Sequence, residues 1–123
     1  MGITTTLLVI LLSGLIAFQI LLAAGLPFGK AAWGGQHAGV LPRKLRISSA
    51  ISAVFLLFVT SVVVSFTSDI SLYARPFEEF FLWFMALYFG IGVVMNAISR
   101  SKIERIWSPY SAILCVLTVI LLV

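Results

Sequence analysis

The chain has 123 residues, of which 62% are hydrophobic and only 10% charged, with a mean hydropathy of +1.19 and a formal net charge of +4. That composition excludes a soluble globular domain, which carries roughly 25% charged residues. It also gives no support to nucleic-acid binding, because seven of the eight Lys and Arg residues flank long apolar segments, where membrane orientation and anionic headgroups account for them.

Four segments without Lys, Arg, Asp or Glu follow one another: residues 3–24, 47–66, 80–98 and 106–123. As helices of this length they rise about 27 to 33 Å, close to the roughly 30 Å hydrocarbon core of a bilayer. Continuous apolar runs argue for helices and against barrel strands, which alternate apolar and polar residues. Connections of roughly 13 and 7 residues after the second and third segments admit only antiparallel neighbours. The expected architecture is therefore an all-α membrane protein, with residues 1–123 forming one up-down-up-down bundle of four transmembrane helices.

No Lys or Arg precedes the first segment, which argues against a cleaved secretory leader even though Ala23-Ala24-Gly25 loosely resembles a cleavage site. Met1-Gly2-Ile3-Thr4-Thr5-Thr6 fits a myristoylation pattern, read here as chance because it already enters the first span. Lys30, Arg43, Lys44 and Arg46 lie between spans one and two, and Arg100, Lys102 and Arg105 between spans three and four; Arg75 is alone in the middle connection. The positive-inside rule makes the first and third loops cytoplasmic and both termini extracytoplasmic.

Gln19 in the first span and Asn96 near the end of the third cannot satisfy their amides in lipid, so both are expected to face other helices as interhelical hydrogen-bond glue. Small residues mark seams of close approach: Ser13, Gly14 and Ala17; Ser49, Ser52 and Ala53; Ala86, Gly90 and Gly92. Cys115 has no second cysteine to pair with and reads as packing.

The first loop, residues 26–47, is too apolar for a free linker and too rich in Gly and Pro for a helix, so it should be ordered against the membrane surface. Trp33 suits the headgroup layer, because its ring is amphipathic and its N–H can stay wet there. Gly34 and Gly35 allow a tight turn that presents Gln36 and His37 beside Lys30, Arg43, Lys44 and Arg46. These seven residues, Lys30, Trp33, Gln36, His37, Arg43, Lys44 and Arg46, form the candidate lipid- or partner-binding site, against the plainer reading that the cations only set topology.

Glu78 and Glu79 open the third span, where acids favour the positive pole of the helix. Successive positions point about 100° apart and do not converge on a cation or a substrate. No catalytic constellation, metal-ligand spacing or cofactor motif is present, so no catalytic, metal or cofactor-binding residue is expected.

The segments Trp33-Gly34-Gly35-Gln36-His37, Leu41-Pro42-Arg43-Lys44-Leu45-Arg46-Ile47-Ser48-Ser49 and Asn96-Ala97-Ile98-Ser99-Arg100-Ser101-Lys102-Ile103-Glu104-Arg105-Ile106-Trp107-Ser108-Pro109 resemble a family of small, uncharacterised four-span bacterial inner-membrane proteins. That resemblance covers essentially the whole chain. It implies a bacterial inner-membrane location and carries over no functional residue.

Two classes of function remain open. One is a non-enzymatic structural or interaction protein that binds membrane lipids or a membrane-protein partner through its cytoplasmic loops. The other is a homo-oligomeric small transporter or channel, similar in size and span count to small multidrug exporters; those carry a carboxylate in the first helix, where this chain has Gln19. A membrane enzyme built around His37 lacks an identifiable acid, base or nucleophile partner.

Overall fold

A computed structural model describes residues 2–123, and within them four helices are long and apolar enough to cross a membrane. They are α1 (Ile3–Ala23), α2 (Arg43–Thr67), α3 (Arg75–Ala97) and α4 (Trp107–Leu122), joined without strands among the described residues into a four-helix bundle. Helix α1 packs on α2 and α4, and α3 packs on α4 and α2. The two basic loops share one end of the bundle, the basic end; the α2–α3 connection shares the other with the termini.

The core is built at helical spacing: Leu8, Leu12 and Ile16 of α1 meet Leu56, Val59, Val62 and Val63 of α2, Leu82, Met85 and Phe89 of α3, and Leu114 of α4. The outer faces are equally apolar. Ile51, Val54 and Leu57 of α2 are all more than half exposed, a pattern that water would penalise and hydrocarbon does not.

Small residues act at the α3–α4 seam much as their size suggests. A Cβ added to Gly92 would stand 3.1 Å from Ser111 Oγ, the Ser108 hydroxyl donates to the Val93 carbonyl at 2.7 Å, and the Cys115 thiol donates to the Ala86 carbonyl at 3.3 Å. Ser49 and Ala53 of α2 are buried. In α1 the stripe divides: Gly14 lies against the Tyr110 hydroxyl of α4, which donates to Leu11 O, while Ser13 and Ala17 are exposed.

Two helices begin earlier than hydropathy implied. Helix α2 starts at Arg43, after Pro42, and α3 at Arg75, with Pro76 in its first turn, because proline's fixed φ suits a helix start. Charged first turns belong to the helices although they lie outside the apolar windows. Helix α1 stops as Gly25 adopts φ +95°: the N–H groups of Gly25 and Leu26 reach Leu22 O and Leu21 O, each at 3.1 Å, and Pro27 follows. Ala23-Ala24-Gly25 is therefore a Schellman-type helix stop.

The α2–α3 connection is pinned by a buried polar cluster. The Ser65 hydroxyl of α2 donates to the Glu78 carboxylate of α3 and accepts the Leu72 N–H at 2.9 Å. Glu78 is 3% exposed, whereas Glu79 faces out and pairs with Arg75 at 3.5 Å. Glu78 therefore does more than complement the helix pole: it ties two helices together. Around it Phe58, Tyr73, Phe77 and Phe81 pack in edge-to-face, tilted and stacked pairs, closing this half of the α2–α3 contact. Replacing Ser65 by Ala should leave the buried carboxylate short of a donor and lower stability by about 1 to 3 kcal/mol, whereas Glu79→Gln should cost under about 1 kcal/mol. Thermal unfolding in micelles measures both, and equal midpoints for the two variants would refute the assignment.

Candidate functional site

At the basic end the first loop is folded into a short 3₁₀ turn, Gly29–Ala31, followed by a tight turn at Trp33–Gly35. It is anchored by a small apolar cluster of Leu22, Ala32 and Leu41, with Phe18 and Leu45 against it. Gly29 is buried where a Cβ would collide with the His37 and Gly39 carbonyl oxygens, and its N–H donates to Gly39 O at 2.9 Å. Residues 29–39 thus close on themselves, and His37 is half-buried.

The turn at Trp33 is left-handed. Trp33 has φ +52° and Gly34 φ +75°, and the Gly35 N–H reaches Ala32 O at 2.9 Å, the arrangement of a type I′ turn. A bulky residue seldom takes that conformation without compensation. Here the Trp33 indole N–H donates to the buried Ser49 hydroxyl of α2 at 3.2 Å. The expectation of a wet indole N–H is corrected accordingly: the left-handed turn aims the ring at α2.

The first loop then docks on the third. The Gly34 N–H donates to Glu104 Oε2 at 3.0 Å, the Ser101 hydroxyl donates to Lys30 O, and the Trp107 indole N–H donates to Ala31 O at 2.9 Å. Gly35 sits so close to Ser101 that a side chain there would collide with it. Glu104 is 7% exposed and is the one acid in either basic loop, which is the signal that could have marked it in the sequence.

Docking sorts the cations into three groups. Lys30 joins Arg100 and Lys102 around a depression of about 330 Å³ whose floor includes Gly34 and Gly35. No carboxylate lies within ion-pair distance of these three among the described residues. Arg43 and Lys44 are exposed in the first turn of α2, at its positive pole, and do not line the depression. Arg46 donates from Nε to Ala23 O at 3.1 Å, capping the carbonyl end of α1, and Arg105 donates to Ser99 O at 2.8 Å. Gln36 is exposed and contributes to neither depression nor cavity.

Beneath the docked loops lies a cavity of about 510 Å³ reaching into all four helices. Its walls include seven aromatic side chains, Phe18, Trp33, Phe55, Tyr88, Phe89, Trp107 and Tyr110, together with Leu15, Leu56, Ile91 and Met95. Gln19, Ser52, Asn96, Glu104 and Ser111 supply its polar groups. The structure therefore brings Gln19 and Asn96 to one space, although Asn96 Nδ2 donates to Gly92 O at 2.8 Å within its own helix. The Gln19 amide oxygen is buried and has no hydrogen-bond partner. Tyr88, Ile91 and Met95 line the cavity and are also more than half exposed, so its α3 wall is not sealed.

Comparison with protein-family models, with curated protein sequences and with solved structures returns no match, so the chemistry of this site is argued from its own geometry.

The docking has a direct test. Gly35→Ala combines a left-handed φ of +71° with a steric collision at Ser101 and should release the first loop, whereas Gly39→Ala meets open space. Limited proteolysis between residues 28 and 42 should accelerate at least tenfold in Gly35→Ala and stay within twofold of the parent in Gly39→Ala. Equal rates in all three proteins would mean that the loop is not held by this contact.

Proposed function

We propose that this chain is a non-enzymatic, multi-pass protein of the bacterial inner membrane that binds anionic lipid headgroups on a platform made by its first and third loops, which lie in the cytoplasm with both termini outside. The observation that carries the reading is the convergence of Lys30, Arg100 and Lys102, from loops far apart in sequence, on one depression without an opposing carboxylate. Each well-placed cation near an anionic surface contributes about 1 kcal/mol. Arg43 and Lys44 extend the positive surface from the start of α2, where the helix pole adds to their potential rather than cancelling it. Trp33 and His37 support the platform through the turn and the closed loop rather than by direct approach to the depression.

The orientation has its own support in the seven-to-one division of Lys and Arg between the two ends. Reporters fused after Val123 should be active outside the cytoplasm, and a reporter placed between Gln36 and Ala38 active within it; a cytoplasmic carboxyl terminus would sink this orientation.

For the headgroup, the parent and variants of unchanged topology are compared for retention of phosphatidylglycerol after purification in maltoside micelles. Arg100→Gln combined with Lys102→Gln should reduce retention at least fivefold, and Arg43→Gln with Lys44→Gln by less. Retention equal to the parent in the first pair would reduce these cations to an orientation signal.

A further inference from the structure

The 510 Å³ cavity carries a chemistry opposite to that of the basic depression. Among its lining residues are a buried carboxylate, a buried amide oxygen without a donor, and aromatic rings, but no Lys, Arg or His. Glu104 uses Oε2 to accept the Gly34 N–H, while Oε1 accepts no hydrogen bond from the chain, and no cationic nitrogen lies within 4.0 Å among the described residues. Gln19 Oε1 is the fully buried unpartnered atom among the described residues, so the free Glu104 oxygen keeps access to open space, and a cation entering the cavity would supply its partner. Phe18, Trp107 and Tyr110 form a run of rings with centroids 4.8 and 5.1 Å apart beside it. Aromatic faces attract organic cations most strongly when desolvated. A metal ion is a poor fit, since no group of three His, Cys, Asp or Glu side chains converges among the described residues.

We propose that the cavity binds an amphipathic amine, its ammonium group held by the Glu104 carboxylate among the aromatic rings and its apolar body lying toward the unsealed α3 wall at Ile91 and Met95. The volume falls within the roughly 300 to 1,000 Å³ typical of small-molecule sites. Entry from the side lets a molecule already dissolved in the membrane reach the site without crossing the loop platform. The ammonium can come from an aminophospholipid such as phosphatidylethanolamine or from a free hydrophobic amine. This inference stands on the cavity and does not rest on headgroup binding at the basic depression.

The test uses the full chain in dodecyl maltoside at pH 7, with Trp83→Phe so that the remaining indoles, Trp33 and Trp107, both line the cavity. Dodecylammonium should change their emission saturably, at least tenfold more tightly than dodecanol, and dodecyl sulfate should not compete. Glu104→Gln keeps a carbonyl oxygen for the Gly34 N–H and removes the charge, so it should weaken dodecylammonium at least tenfold while leaving dodecanol unchanged. In parallel, lipids retained by the parent and Glu104→Gln are measured by mass spectrometry. Phosphatidylethanolamine enriched on the parent alone identifies the headgroup as the source, and amine selectivity without that enrichment identifies a free amine. Equal affinity of the parent for amine and alcohol, or an amine affinity unchanged by Glu104→Gln, overturns the proposal whether or not phosphatidylglycerol binds the basic depression.

Discussion

The architecture of the basic end depends on the contacts between its two loops, among which the hydrogen bond from the Gly34 N–H to the buried Glu104 carboxylate is the one made to a charged group. A hydrogen bond to a charged acceptor contributes roughly 1.5 to 3 kcal/mol, and leaving such an acceptor buried without a donor costs more than the bond returns. The contact therefore holds both partners to one geometry. With Gly34 fixed, Trp33 is driven through its left-handed turn onto α2, Lys30 is brought beside Arg100 and Lys102, and the Ala31 carbonyl meets the Trp107 indole. The basic depression and the roof of the cavity both follow from that docking.

The opposite end solves the same problem with different residues. There Ser65 and Glu78 join α2 to α3 through a buried bond, and a belt of aromatic rings fills the space between the helices. At the basic end α2 and α3 present Ser52, Phe55, Tyr88 and Met95 to the cavity instead. Lipid supplies no hydrogen bonds, so polar groups inside a bundle must find partners in the protein or in whatever occupies its interior. Glu78 has its partner in the chain. Glu104 has only half of one, and that asymmetry separates a structural carboxylate from a candidate binding group.

The four helices were legible in the sequence because continuous apolar runs of spanning length have few alternatives. Their starts were less so: hydropathy ends at the first charge, whereas Arg43 and Arg75 already lie in helical turns that Pro42 and Pro76 initiate. The positive charge of the two loops could be read from their cations alone, but not the regrouping that places Lys30 with Arg100 and Lys102 and turns Arg46 back to cap α1. Pairings across some seventy positions leave no local pattern. Glu104 was hidden for a related reason, since one acid among Arg100, Lys102 and Arg105 looks like a solvated surface charge until the first loop covers it. Gln19 and Asn96 line one cavity, but the expectation that they glue helices together is corrected: the Asn96 amide bonds within α3 and the Gln19 amide oxygen has no partner, because the cavity keeps α1 and α3 apart at this level.

Gly34 forms part of the basic depression, and the carboxylate that accepts its N–H forms part of the cavity, so a single hydrogen bond separates a space lined by cations from one lined by a carboxylate. An anion on the proposed platform would draw on the cations of the depression; an ammonium in the proposed cavity site would draw on Glu104. Any occupant that changes the length of that bond alters the other site, and by linkage the effect is reciprocal in free energy. Its sign follows from the shared carboxylate. An ammonium that neutralises Glu104 removes a negative charge lying behind the depression and strengthens the field felt by an anion there, so the geometry favours joint occupancy over competition.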